Sequence, residues 1–256
     1  MTGADDGDHT RCYGLNRIYD IGILYDLYCQ PVDVGMGRHY DLVIFDMDGV
    51  LTRDRSSWTF IHDMMGVSNE HNLKAFIEGR IDEDEFIRSD IALWKAKKPD
   101  MNIRDIAKMF RELRLIDGIQ ETVACLHYNR IKCVICSGGI DLAAKMIADE
   151  YDFDDYAAVT LLADGNGVLT GEGRKAVDLS DKGVSARSFI EKFGTTKERT
   201  VSIGNSFTDI KMFNATGMSI AFNPEKDGTA EAADHVVVSK NIADVLDYII
   251  PQEEER

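Results

Sequence analysis

The sequence predicts an α/β fold: a Rossmann-like, mostly parallel sheet with a small α-helical cap inserted after the first strand. Three observations carry this. Short apolar runs recur at DLVIFD, KCVICS, AAVTLLA, TVSIG, MSIAF and HVVV. Amphipathic stretches of helical length lie between most of them, and residues 54–116 break the alternation with helical patterns alone. Apolar runs bounded by turn signals fit buried strands, and strands alternating with helices are α/β units around a parallel sheet.

Residues 1–39 share no pattern with the rest of the chain and are expected to be a flexible or accessory extension; Met36 is an alternative start. The core is expected over 40–53 and 117–250, the cap over 54–116 and a tail over 251–256. DLVIFD, ending in Asp46, is the first strand. In the cap, EDEFIRSDIALWKAKK and IRDIAKMFREL have helical periodicity. The acidic run Asp82 to Glu85 suits a helix start through the dipole and is expected on a solvated face. The alternation then resumes with GIQETVACLHYN as helix, KCVICS as strand, IDLAAKMIADEY as helix and AAVTLLA as strand. DGNGVLTGEG reads as a hairpin with Asn166-Gly167 at its turn. KGVSARSFIEKFG and FTDIKMFNATG are the remaining helices, between and after the strands that end in TVSIG, MSIAF and HVVV.

Composition narrows the class. With 44% hydrophobic and 29% charged residues the chain is expected to be a soluble globular protein. No run approaches the roughly 20 apolar residues of a membrane helix. The opening MTGADDGDHTRC is acidic where a secretory signal is basic, so a cytoplasmic location is expected. Forty-five acidic residues against 29 basic give a net charge of -16, which disfavours nucleic-acid binding and makes a small molecule the expected partner. The oligomeric state is not legible. Five cysteines without regular spacing argue against a disulfide framework. Cys133 and Cys136 lie three apart on a predicted strand, so they face opposite sides and read as buried thiols.

Four elements carry chemistry. Asp46-Met47-Asp48-Gly49 ends the first strand, and two carboxylates one residue apart can supply a nucleophile and a proton donor to one phosphate. The same letters begin a calcium loop, but such a loop wants an oxygen ligand, Gly and Glu where Val50, Leu51 and Ser57 stand. Ser137-Gly138-Gly139 between strand and helix offers a hydroxyl and backbone N–H groups to an anion, although taken alone it reads first as a plain strand-to-helix turn. Lys182, at a helix start, is either a solvated lysine or a partner for a phosphoryl oxygen. Gly204-Asn205-Ser206-Phe207-Thr208-Asp209 places oxygen-bearing side chains at a strand end, which suits a hard cation.

In this order the four elements resemble the signature of the haloacid dehalogenase superfamily over residues 41 to 250. VICSGGIDLAAKMI, DGNGVLTG, DKGVSA and IGNSFTDIKMF resemble its phosphoserine phosphatase branch. The resemblance implies hydrolysis of a small phosphomonoester through an aspartyl-phosphate. Asp46 would be the nucleophile and Asp48 the acid and base; Ser137, Gly138 and Lys182 would hold the phosphoryl group. Mg2+ would be bound by Asp46, the Asp48 carbonyl and Asn205, with Asp209 supporting it. The alternatives are a phosphatase or phosphotransferase for another small phosphoester, or a non-catalytic regulator that binds a phosphorylated ligand. Three departures from the branch stand out. Asn205 replaces a ligating carboxylate, and Arg53-Asp54-Arg55-Ser56-Ser57 lacks a glutamate expected after the first motif. Asp90 occupies the place of an arginine that would meet the substrate carboxylate, with Arg88 as its substitute. Arg88, Asp90 and Thr208 are therefore the expected specificity residues.

Overall fold

The computed structural model describes residues 40–226 and 228–250, so the expectations for 1–39, for Cys12 and Cys29 and for the tail lie outside the described residues. β1 (Leu42–Phe45) is followed by four helices: α1 (Ser57–Met65), α2 (Glu70–Ile77), α3 (Glu83–Lys97) and α4 (Ile103–Met109). The sheet resumes with α5 (Ile119–Tyr128), β2 (Lys132–Ile140), α6 (Asp141–Tyr151), β3 (Asp155–Ala163), β4 (Leu169–Lys175) and α7 (Lys182–Lys192). It ends with β5 (Thr200–Gly204), α8 (Ile210–Ala215), β6 (Met218–Phe222), α9 (Thr229–Ala232), β7 (His235–Val237) and α10 (Leu246–Ile249).

The seven strands form one sheet in the order β4-β3-β2-β1-β5-β6-β7. All neighbours run parallel except β3 and β4, the hairpin that Asn166-Gly167 signals. β1 lies at the centre with all four side chains buried, because both of its faces are covered. Leu42 and Ile44 face a core with Val134, Phe189 and Met212. Phe45, of opposite parity, meets Phe153 edge to face at 5.6 Å. Burying each such aliphatic or aromatic side chain contributes about 1.5–3 kcal/mol, which holds the central strand fixed. Cys133 and Cys136 are free and buried on β2, and burial pushes the Cys136 thiol up to about 12.

Between β1 and β2 the helices build their own aromatic contacts. Trp58 stacks on Trp94 at 5.6 Å, and Phe76 on Phe86 at 5.3 Å. Helix α3 starts where the Asp82 side chain accepts the Glu85 N–H, with Glu83, Asp84 and Glu85 in the first turn. The expected solvated face is corrected at one position. Glu83 is only 8% exposed, because Lys175 of β4 folds over it at 3.3 Å. α3 is tied to the same hairpin by Lys95, whose ammonium donates to the Leu169 carbonyl. Among the described residues no helix is long and apolar enough to cross a membrane.

Candidate active site

The register of the three central strands assembles the site. Phe45 pairs with Ile135 on one side and Ile203 on the other, so Asp46, Ser137 and Asn205 leave the sheet at the same edge within two residues of level. This is the carboxyl edge, where parallel sheets bind ligands. A cavity of about 550 Å3 opens there, lined by Asp46, Asp48, Ser137, Gly138, Lys182 and Asn205 at one end and by α1 to α3 at the other.

Lys182 is fully buried at the start of α7. Its ammonium lies 2.6 Å from Asp209 Oδ1 and 3.0 Å from Asp46 Oδ1. Burial alone would lower its pKa, but Asp209 and Asp46 more than offset this and drive it up, so it stays charged. The Met47 backbone N–H also donates to Asp46 Oδ1, at 2.8 Å. Burial, and next the charge of Asp209, nonetheless push Asp46 up to about 7. Burial likewise raises Asp48 to about 6 against the opposing hydrogen bond from Ser57. A carboxyl near 6 holds and releases a proton close to neutrality, as an acid and base should.

Asp48 Oδ2 accepts from Ser57 Oγ at 2.9 Å, while Asp48 Oδ1 is buried with no hydrogen-bond partner. Ser57 Oγ in turn accepts the Ile140 N–H at 3.0 Å. Gly139 is required at this crossing: a Cβ would lie 2.6 Å from both Asp48 Oδ2 and Ser57 Oγ. Ser137 Oγ accepts the Gly139 N–H at 3.0 Å. Trp58 Nε1 donates to the Gly138 carbonyl at 3.1 Å and so fixes the serine loop to helix α1.

Three carboxylates, Asp46, Asp48 and Asp209, share one lysine, and a buried carboxylate oxygen lacks a partner. That charge imbalance and an all-oxygen donor set fit a hard divalent cation. The fit is limited in one respect. Among the described residues no group of three or more His, Cys, Asp or Glu is arranged to hold a metal. Asp209 explains why: Oδ1 takes Lys182, and Oδ2 accepts the N–H groups of Asn205 at 2.9 Å and Ser206 at 3.1 Å. Of the expected metal residues, Asp209 is thus committed to the lysine and the loop. Asn205 is buried against Gly49, where a Cβ would lie 2.3 Å from the Asn205 amide nitrogen and where the left-handed φ of +78° also favours glycine.

Of the expected specificity residues, Asp90 and Thr208 line the cavity. Arg88 does not: its side chain is 44% exposed and pairs with Glu172 at 3.6 Å, because it sits on the hairpin-facing side of α3. The expectation that Arg88 takes over from the missing arginine is therefore corrected. Instead Asp90 is buried with Asn69 Nδ2 donating at 2.6 Å and His62 Nε2 3.1 Å away, without the alignment of a hydrogen bond. Ser57, Trp58, His62 and Glu83 were not foreseen. Ser57 is separated from Ile140 by 83 residues, so the only local signal was Ser56-Ser57 as a helix start.

The haloacid dehalogenase-like hydrolase family matches residues 43–214, more than half of the chain. The chain is similar to the phosphoserine phosphatase of Methanocaldococcus jannaschii, 27% identical over 217 residues that cover 84% of this chain and 100% of that protein. It is also similar to phosphoserine phosphatase SerB2 of Mycobacterium tuberculosis, 29% identical over 206 residues that cover 79% of this chain and 49% of that one. A solved structure described as a phospho-aspartyl intermediate analogue of phosphoserine phosphatase superposes with a TM-score of 0.70 and 26% identity, over 83% of this chain and 100% of that one.

Proposed function

This chain belongs to the haloacid dehalogenase-like hydrolase family and is a phosphatase of that type, and from that premise we propose that it cleaves a small phosphomonoester with Asp46 as nucleophile and Asp48 as acid and base. The observation that carries this is the convergence of Asp46, Asp48, Ser137 and Lys182 on one cavity at the carboxyl edge of the sheet.

One Asp46 oxygen is held by Met47 N–H and Lys182; the other attacks phosphorus. The P–O bond to the alcohol breaks as Asp48 gives its proton to the leaving oxygen, leaving a phosphoryl group on Asp46. Water then attacks that phosphorus and passes a proton back to Asp48. The Asp46–phosphorus bond breaks, inorganic phosphate leaves, and both carboxyl groups return to their starting states. Ser137, the Gly138 backbone and Lys182 hold the phosphoryl oxygens and offset their charge. Asp209 is a positioning residue that keeps Lys182 beside Asp46. The family typically uses Mg2+; here Asp46, the Asp48 carbonyl and Asn205 would hold it, and it would supply positive charge for the phosphoryl oxygens.

Asp46→Asn tests this, since the amide is nearly isosteric but cannot attack. Loss of an essential nucleophile removes several powers of ten. The variant is expected to stay folded, to lose turnover, and to lack the phosphorylated Asp46 that acid quenching and mass spectrometry should detect in the parent. Retention of more than about a hundredth of the parent activity would overturn the mechanism.

A further inference from the structure

Beyond the phosphoryl end the cavity wall bears Asp63, Glu70, Glu83 and Asp90, and its basic groups are Arg55 and His62. Both are engaged. Arg55 pairs with Glu225 at 2.6 Å, and His62 lies against Asp90. Lys182 is held between Asp46 and Asp209. A carboxylate on the leaving alcohol would thus face buried Glu83 and Asp90, with His62 already turned to Asp90 and Arg55 out at the surface beside Glu225, so the interior of the cavity disfavours it.

A second feature points to the ligand itself. Glu83 is more than nine-tenths buried and lines the cavity; Lys175 sits 3.3 Å from Oε2 and the Leu179 backbone also favours the carboxylate, while Oε1 has no partner in good hydrogen-bond geometry. An unmatched buried carboxylate oxygen is costly unless a donor arrives. Apolar walls complete the chamber. Trp58, Phe76 and Phe86 line it, and Leu73, Ile77 and Phe207 stand exposed around its mouth. Its volume lies in the range that holds drug-sized ligands, roughly 300–1,000 Å3, and exceeds what a three-carbon phosphoester fills. Aromatic faces beside carboxylates bind ammonium groups, by cation–π attraction and ion pairing together.

We propose that the preferred substrate is the phosphomonoester of an alcohol with a cationic amine and an apolar or aromatic body, and without a carboxylate. The amine is received by Glu83 and Asp90, and the body rests on Trp58, Phe76 and Phe86. This rests on the phosphatase reading of the same site, so its test separates the two.

The experiment compares kcat/KM for four compounds with magnesium present: phosphoserine, phosphoethanolamine, phosphotyrosine and phosphotyramine. They form two pairs that differ by one carboxylate, and two that differ by one aromatic ring. p-Nitrophenyl phosphate reports phosphatase chemistry without an amine. Phosphoethanolamine is expected to exceed phosphoserine, and phosphotyramine to exceed phosphotyrosine, each by about tenfold or more, with phosphotyramine best of the four. Glu83→Gln and Asp90→Asn should each lower the ratio of phosphotyramine to p-nitrophenyl phosphate turnover by about tenfold. Phosphoserine equal to or better than phosphoethanolamine would overturn the proposal, above all if Arg55→Gln abolished that preference. So would ratios unchanged in both acidic variants. If p-nitrophenyl phosphate and all four compounds are inert, the phosphatase reading fails; calorimetric binding of phosphotyramine against phosphotyrosine then decides recognition by itself, and equal affinities overturn the proposal.

Discussion

The two ends of the cavity are built differently. At the phosphoryl end the side chains come from the carboxyl edge of the strands and the turns and helix starts that follow, and most are tied together: Lys182 to Asp46 and Asp209, Asp48 Oδ2 to Ser57, the Asn205 loop to Asp209, while Asp48 Oδ1 stays unmatched. At the cap end the walls come from three helices outside the sheet, the contacts are aromatic stacks, and Glu83 keeps an unmatched oxygen. A network in which each member fixes the next tolerates little change, which suits chemistry common to many substrates. A wall held by aromatic stacks and by separate local pairs, Asn69 with Asp90 and Lys175 with Glu83, can be altered piece by piece, which suits the choice of alcohol. The ends are joined by hydrogen bonds from Ser57 to Asp48, from the Ile140 N–H to Ser57 and from Trp58 to Gly138.

The largest effect is expected where the network is most closed. Asp209→Asn removes the charge facing buried Lys182 and sets an amide against it, which should cost about 3–5 kcal/mol of stability. Turnover should fall by at least a hundredfold, and saturating magnesium should not restore it. Full recovery at high magnesium would make Asp209 a metal ligand and break the picture of a lysine clamp.

Ser57→Ala cuts a bond between the ends. Asp48 loses a donor of about 1–1.5 kcal/mol, so kcat on alkyl phosphates should fall by about tenfold with KM little changed. The loss should be much smaller for p-nitrophenyl phosphate, whose leaving group needs no proton. Equal losses on both would mean that Ser57 acts on the fold and not on the acid.

Asn205→Asp sharpens the contrast in charge. Exchanging an amide dipole for a full charge should lower the magnesium concentration for half-maximal activity by about tenfold, or 1.4 kcal/mol. An unchanged titration would count against ligation by Asn205.

A smaller effect belongs to neither end. Burial tends to raise Asp154, but Lys132 at 2.6 Å, then the Cys133 N–H and His127, outweigh it and hold the carboxyl below its usual range. A depressed carboxyl contributes stability above its unfolded value, and that contribution is lost as pH falls through the folded one. Asp154→Asn should therefore cost about 1 kcal/mol at pH 7, and the difference from the parent should begin to shrink near pH 4 and vanish as pH falls through the depressed carboxyl's own range, with kcat untouched. A difference independent of pH in urea titrations would refute the linkage.

The chemistry of the phosphoryl end was legible because it is local. Asp46 and Asp48 are neighbours on one turn, and Asn205 and Asp209 sit on another. The apolar runs declare which turns are strand ends, since only buried strands carry such runs unbroken. The alternation of strands and helices and the Asn166-Gly167 hairpin follow from the same patterning. The strand order is another matter: that β1 lies between β2 and β5 is set by pairings across 90 and 158 positions, for which no short-range pattern exists. Helix faces were also out of reach, because periodicity shows which residues share a face but not what the face meets. Arg88 and Asp90 lie two apart on α3, and packing alone sends one to Glu172 and the other into the cavity. Glu83 reads as a dipole-favoured residue at a helix start, and it is one; only Lys175 folding over it from the hairpin turns it into a buried acid. The sequence by itself determined which polar groups meet at the carboxyl edge of the sheet, since groups that follow buried strands are marked by the apolar runs before them. The tertiary structure decided the far wall of the cavity, since that wall exists only where separate helices close on one space.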